Sequence, residues 1–240
     1  MTKRKILMTA GAKGGSGKST TMISLVDFFH VNNIPVSLVD ADVENRHRGS
    51  LANVFKDTPK VDIRTRRGLD DFVERVLSDT VPLVLADLGA GSGRDTFSWF
   101  DEMHDPLKDS GISFVAIGVV TGEAATVDTL FNWARTLKNR VEYLVVRNHR
   151  NGDDFGYLEN SDPGKQFFKL AKPAVIDLES RIPDIQEELG NLGLSLRQAM
   201  DAPNDVTGPL LSKFTSKVRM RGYINRIEAE FKRVSEVLLP

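Results

Sequence analysis

The 240-residue chain contains no cysteine. Disulfides, thiolate zinc sites and cysteine-held iron–sulfur clusters are therefore excluded. No apolar run approaches 18 residues, so no segment reads as a membrane span. The start, MTKRKILMTAG, holds too short an apolar run for a secretory signal, and a cytoplasmic location is expected. An excess of one charge is missing too: 32 basic residues meet 33 acidic ones, a formal net charge of −1. Affinity for nucleic acid or lipid would then have to come from a local patch. With no repeat, low-complexity tract or linker, one domain over residues 1–240 is expected.

Short apolar runs alternate with helical patterns. KILMTA (5–10), PVSLVDAD, VPLVLADLG, ISFVAIGVV, VEYLVVRN and AVIDL read as strands. KVDIRTR alternates like an exposed or edge strand. Helices are expected over GKSTTMISLVDFFHVNN, with Met22, Leu25, Val26 and Phe29 on one face, over GLDDFVERVLSD, and over AATVDTLFNWARTLKN. The end, from about Pro209 to Leu238, reads as one long helix or two, and the polar stretch 149–165 as a surface loop. Strands spaced by helices imply an α/β fold with a mostly parallel central sheet and helices on both faces.

The stretch GAKGGSGKST (11–20) lies between the first strand and the first helix. That context makes it a phosphate-binding loop. Backbone N–H groups of Gly14, Gly15, Ser16, Gly17, Lys18 and Ser19 are expected to wrap phosphate oxygens at the positive end of the helix. Lys18 is placed to reach the β- and γ-phosphates, the Ser19 hydroxyl to ligate Mg²⁺, and Thr20 to bond the α-phosphate. The ordinary Walker pattern needs glycine at position 12, where this chain has Ala12, and a second lysine, Lys13, follows.

Lys13, Gly14, Gly15, Gly17, Lys18, Ser19 and Thr20 form a K-G-G-x-G-K-[ST]-T loop that resembles the deviant Walker motif of the ParA/MinD family of P-loop ATPases. That resemblance implies the P-loop NTPase (SIMIBI-type) fold. VSLVDAD looks like the family's second motif, with Asp40 near the Mg²⁺ water shell and Asp42 opening switch I and orienting the attacking water. LVLADLGAGSG resembles the Walker B strand and switch II, with Asp87 holding Mg²⁺ through water and the Gly89 N–H meeting the γ-phosphate. Many partition and cell-division members have proline where this chain has Gly89, which looks more like the nitrogenase-type switch. Asn148, ending LVVRN, and Pro183, in IPDIQ, match the positions that read and pack the adenine. With no N-K-x-D signature, ATP is the expected nucleotide. The family's signature lysine, here Lys13, is implied to cross a dimer interface to phosphate in the other subunit. ATP binding would then drive homodimerisation, and an ATPase-stimulating partner protein is implied as well.

Residues 211–240 hold seven basic side chains against three glutamates, and Lys217, Arg219 and Arg221 lie in the densest part. This points to non-specific DNA binding of the plasmid-partition type. A second basic group is Arg64, Arg66 and Arg67. The alternative is a MinD-like membrane-positioning ATPase, with Ile224, Ile227, Phe231, Val234 and Leu238 as one face of an interfacial helix. A conjugation or mobilisation accessory ATPase is a further alternative, because DVENRHRGSLANVF departs from the usual partition switch I. Lack of cysteine excludes the iron–sulfur relatives.

Overall fold

The computed structural model describes residues 3–11, 13–42, 49–89 and 94–240. Among the described residues six strands form one sheet: β1 (Arg4–Ala10), β2 (Ser37–Ala41), β3 (Leu83–Leu88), β4 (Ile112–Val120), β5 (Glu142–Asn148) and β6 (Ala174–Leu178). Their order is β2-β3-β1-β4-β5-β6, and every neighbouring pair is parallel. The β3-to-β4 crossover passes from one side of β1 to the other. The carboxyl end of β1 therefore lies where the winding reverses, the place where open α/β sheets leave a crevice for ligands.

The helices are α1 (Lys18–Val31), α2 (Leu51–Val54), α3 (Arg66–Ser78), α4 (Arg94–Asp109), α5 (Ala124–Leu137), α6 (Gly156–Asn160) and α7 (Asp162–Ala171). They continue with α8 (Pro183–Leu192), α9 (Leu196–Asp201), α10 (Asn204–Leu211), α11 (Phe214–Arg233) and α12 (Ser235–Leu238). Helices α3 to α7 cover one face of the sheet around Phe72, Trp99, Phe100, Trp133 and Phe167. Helices α1, α2 and α8 to α12 cover the other around Phe28, Phe29 and Phe231. Among the described residues no helix is long and apolar enough to cross a membrane.

Four expectations change. KVDIRTR is not a strand: only an isolated parallel bridge joins Asp40 to Lys60. The Asp62 carboxylate then accepts the Arg64 N–H at 3.1 Å, and Thr65 caps α3 by accepting the Gly68 N–H at 3.1 Å. Local side-chain-to-backbone bonds outcompete the ladder there. The polar stretch 149–165 contains α6 and the start of α7, whose N-cap is Ser161. Residues 94–109, given no element by the sequence pattern, form α4. Helix α1 buries more than one face: ten of its fourteen residues are buried, because α11 covers its outer side and Phe28 meets Phe231 at 5.5 Å.

The apolar stripe on α11 and α12 is likewise covered. Ile224, Ile227, Phe231, Val234 and Leu238 are all buried in the core shared with α1. Burial of such side chains stabilises the fold by roughly 1.5–3 kcal/mol each. That stripe is core-facing and is not presented to a membrane.

Asp27 anchors the same layer from the polar side. It accepts the Ser195 hydroxyl at 2.7 Å and the Arg197 N–H at 3.3 Å. Burial pushes its carboxyl up to about 6, although those donors and the Arg181 and Arg197 charges favour the ionised form. The folded chain thus binds this proton more tightly than the unfolded chain, whose aspartate keeps the ordinary value of 3.8. Asp27 should therefore add stability as pH falls from 7 through 6 toward 4, by on the order of 2 kcal/mol. Urea titrations of the wild type and Asp27→Asn over that range check it: the substitution should flatten the slope, and parallel profiles would refute the assignment.

Candidate nucleotide site

Strand β1 delivers the loop. Thr9, at its penultimate position, is buried and was missed by motif reading. Its Oγ1 accepts the Leu88 N–H at 2.7 Å and donates to Asp87 Oδ1 at 3.2 Å, which ties β1 to the end of β3. A polar residue inside the apolar run KILMTA was the available signal.

Lys13, Gly14 and Gly15 are exposed, whereas Ser16 and Lys18 are buried. Ala12 lies outside the described residues. Gly17 is the N-cap of α1 with φ 102° and ψ 16°. A Cβ there would lie 2.3 Å from Asn148 Nδ2, so only glycine fits. Asn148 Nδ2 donates to the Ser16 carbonyl at 2.8 Å, and its Oδ1 accepts the Arg150 N–H at 3.1 Å. The side chain that the resemblance assigns to adenine is 5% exposed and braces the phosphate loop. Arg150, also missed, donates to the Gly15 carbonyl at 3.2 Å. Pro183 opens α8 at an exposed position, and Arg181 just before it donates to Ser24 Oγ at 2.8 Å. IPDIQ is thereby tied to α1, one turn beyond the half-buried Thr20.

The two lysines have different surroundings. Lys18 Nζ donates to the Lys13 carbonyl at 2.9 Å. Burial lowers the Lys18 pKa from its ordinary value, and the Asp87 and Asp42 carboxylates oppose that fall. Lys13 is half-exposed, with Nζ 3.9 Å from a half-exposed Glu123 carboxylate. Such a long exposed pair is worth little and leaves the ammonium available.

The acids divide as clearly. Asp87 is 1% exposed, and burial pushes its carboxyl up to about 6. The Ser19 hydroxyl, Lys18 and Thr9 favour its ionised form, while the Asp40 charge opposes it. Ser19 faces this carboxylate, yet Oδ2 is buried without a hydrogen bond of good geometry among the described residues. Asp40 is fully buried, and its two oxygens accept the Asp42 N–H at 3.1 Å and the Ala52 N–H at 3.0 Å. It pins both ends of the segment that includes residues 43–48, which lie outside the described residues. Gly89 packs against Asp42: a Cβ would fall 2.8 Å from Asp42 Oδ1 and 3.1 Å from its Cα. This is the steric reason for glycine at a position where a bulkier residue was the comparison. Residues 90–93, the rest of the expected switch II, also lie outside the described residues.

A divalent cation fits this donor set. An orphaned buried carboxylate oxygen on Asp87 and the neighbouring Ser19 hydroxyl offer hard oxygen donors. Among the described residues no three His, Asp or Glu side chains converge on one point. That suits Mg²⁺, which is commonly held by one or two protein oxygens, water and substrate phosphate.

The sequence model of the CobQ/CobB/MinD/ParA nucleotide binding domain matches residues 7–238. The chain belongs to this family. Its members are P-loop ATPases in general, and the parallel sheet with helices on both faces is the family's P-loop NTPase fold. In fold the chain is similar to the MinC:MinD cell division protein complex of Aquifex aeolicus, with 16% identity, 94% of this chain and 96% of that chain covered, and a TM-score of 0.50. It is similar also to a plasmid partition protein from Borrelia burgdorferi B31 bound to AMPPNP, with 15% identity, 96% and 100% coverage, and a TM-score of 0.50. No curated protein matches the sequence.

The basic residues are arranged less simply than their spacing implied. At 100° per residue, Arg219 and Arg221 lie on opposite flanks of α11. Phe214 and Val218, 81% and 52% exposed, form the crest between them, with Lys217 on the Arg221 side. Lys213, Arg219, Arg221 and Lys232 have no ion pair among the described residues, whereas Arg226 pairs with Glu179 and Arg233 with Glu230. The second basic group is compensated: Arg64 pairs with Asp62, Arg66 with Glu102 and Arg67 with Asp71.

Proposed function

We propose that this chain is a Mg²⁺-dependent ATPase whose ATP-bound form is a homodimer, acting as a switch in DNA partition or another DNA-linked positioning or transfer process. The observation that supports it most is the pairing of a buried Lys18 and Asp87, beside the half-buried Ser19, with an exposed, weakly held Lys13 five residues before Lys18.

In this reading Lys18 holds the β- and γ-phosphates of its own subunit, and the loop backbone from Gly14 to Thr20 orients them in line for attack. Ser19 and Asp87 would hold Mg²⁺, with Asp40 adding negative charge beside them. The ion, when bound, supplies charge neutralisation between the phosphates. Asp42 orients the attacking water, and Gly89 keeps the strand end close beneath it. Base recognition by Asn148 and Pro183 belongs to the same proposal; it uses the amide hydrogen and lone pair that Asn148 has left over. Lys13 leaves Glu123 and stabilises transition-state charge in the partner subunit. A protein that stimulates hydrolysis completes the cycle, which the nucleotide state drives.

Lys13→Ala should bind ATP as a monomer and lose the ATP-dependent dimer, with turnover falling about 10²-fold or more. Light scattering with ATP reads the mass. Full dimerisation of this variant would refute the trans role of Lys13.

The DNA surface in this proposal is α11, through Lys217, Arg219 and Arg221. Reversing Lys217 and Arg221 together removes two cations from one flank. The slope of log affinity against log salt should then weaken by about 2 for duplex DNA, and affinity by at least about tenfold. Reversing Arg219, alone on the other flank, should change the slope by about 1. Fluorescence anisotropy at several salt concentrations measures both, and unchanged slopes would remove DNA from α11.

A further inference from the structure

We propose that the trough between α5 and α7 binds a small apolar molecule bearing one anionic group, of the fatty-acid class. It lies outside the nucleotide site and is independent of the ATPase reading. The trough has a volume of about 670 Å³. Phe131, Ala134, Phe167, Leu170 and Ala171 supply its apolar wall. The two alanines give it depth, and Leu170, 71% exposed, forms an apolar lip.

Charge marks one end. Arg135 and Lys138 line the trough where α5 terminates. Lys138 has no ion pair among the described residues, and Arg135 is held only by the neutral side chain of Asn132. Among the described residues the one acid in the lining, Asp128, sits nearer the other end and already accepts the Tyr157 hydroxyl at 2.7 Å. An apolar body with an anionic head at the Arg135–Lys138 end complements this distribution.

The size suits a small ligand between walls 14 and 10 residues long. A volume of 670 Å³ falls within the roughly 300–1,000 Å³ of small-molecule sites.

The test is calorimetric titration of the full chain with dodecanoate below its micelle concentration, alongside the fluorescence of Trp133, which neighbours Ala134 on α5. Saturable binding of one dodecanoate per chain is expected. Arg135→Glu with Lys138→Glu should weaken it by about tenfold or more. Leu170→Glu, at an exposed position that does not threaten folding, should weaken it as well. 1-Dodecanol should bind at least about tenfold more weakly than dodecanoate. Absence of saturable binding, or equal binding of dodecanoate, dodecanol and dodecyltrimethylammonium, would overturn the proposal. So would saturation by a glutamate-rich amphipathic peptide with no binding of dodecanoate, which would assign the trough to a protein helix. ATP turnover is read by none of these measurements, so this proposal and the ATPase reading fail separately.

Discussion

Lys18→Ala should lower ATP turnover by about 10³-fold or more, the loss seen when a preorganised charge aimed at the transition state is removed. The expected size follows from where the ammonium sits. It is buried, fixed by the Lys13 carbonyl, and close enough to Asp87 and Asp42 for both to act on its pKa. Without it, the Asp87 and Asp42 carboxylates would lose the ammonium that offsets their charge on the side where the proposed phosphates lie. Substitution should cost the empty protein little, because burial already disfavours the charged lysine. A thermal melt within a few degrees of wild type, combined with lost turnover in a coupled phosphate assay, is the predicted pair of results. Turnover near the wild-type rate would overturn the assignment of Lys18.

Gly17→Ala is the second large effect. The φ of 102° is a conformation that L side chains rarely adopt, costing roughly 1–2 kcal/mol. The new Cβ would also strike the Asn148 amide, and moving it breaks the bond to the Ser16 carbonyl. Leaving those buried groups unsatisfied costs a further 1–3 kcal/mol, roughly. About 3 kcal/mol in total would weaken nucleotide binding about 100-fold or more through a distorted loop. In an Asn148→Ala background Gly17→Ala should cost less affinity than it does in the wild type, since the steric half is gone and only the backbone strain is left. A double-mutant cycle reads that coupling. Purely additive losses would show that the contact between positions 17 and 148 is not the cause.

Much of this was legible in the chain. The strand–loop–helix order around GAKGGSGKST depends on local chemistry: an apolar run, glycines able to take positive φ, and a helix start. Asp87 was legible for the same reason, because four apolar residues precede it at the end of a buried strand. Residues whose role depends on distant partners were not. Thr9 acts on Asp87 across 78 positions, and Asn148 braces Ser16 across 132.

The α11 stripe shows the limit most plainly. Ile224, Ile227, Phe231, Val234 and Leu238 have a spacing that fits a membrane face or a core face equally well. A hydrophobic period specifies that a face must be covered, and says nothing of what covers it. Packing against α1 decided the matter, and left Phe214 and Val218 as the crest that solvent meets. The basic residues obeyed the same rule, since closeness in sequence does not place side chains on one flank of a helix.

The sequence by itself determined the family, the parallel α/β architecture and the two-lysine loop, because these rest on residue type at short fixed spacing. Only the tertiary structure decided how those parts are held. Asp40 spends both oxygens on backbone N–H groups, Gly89 is squeezed against Asp42, and Lys13 rests loosely on Glu123 beside a buried Lys18. The Gly89–Asp42 and Lys13–Glu123 contacts join segments far apart in the chain, set by how the sheet brings its carboxyl ends together, and the burial that makes the local bonds of Asp40 matter is set the same way.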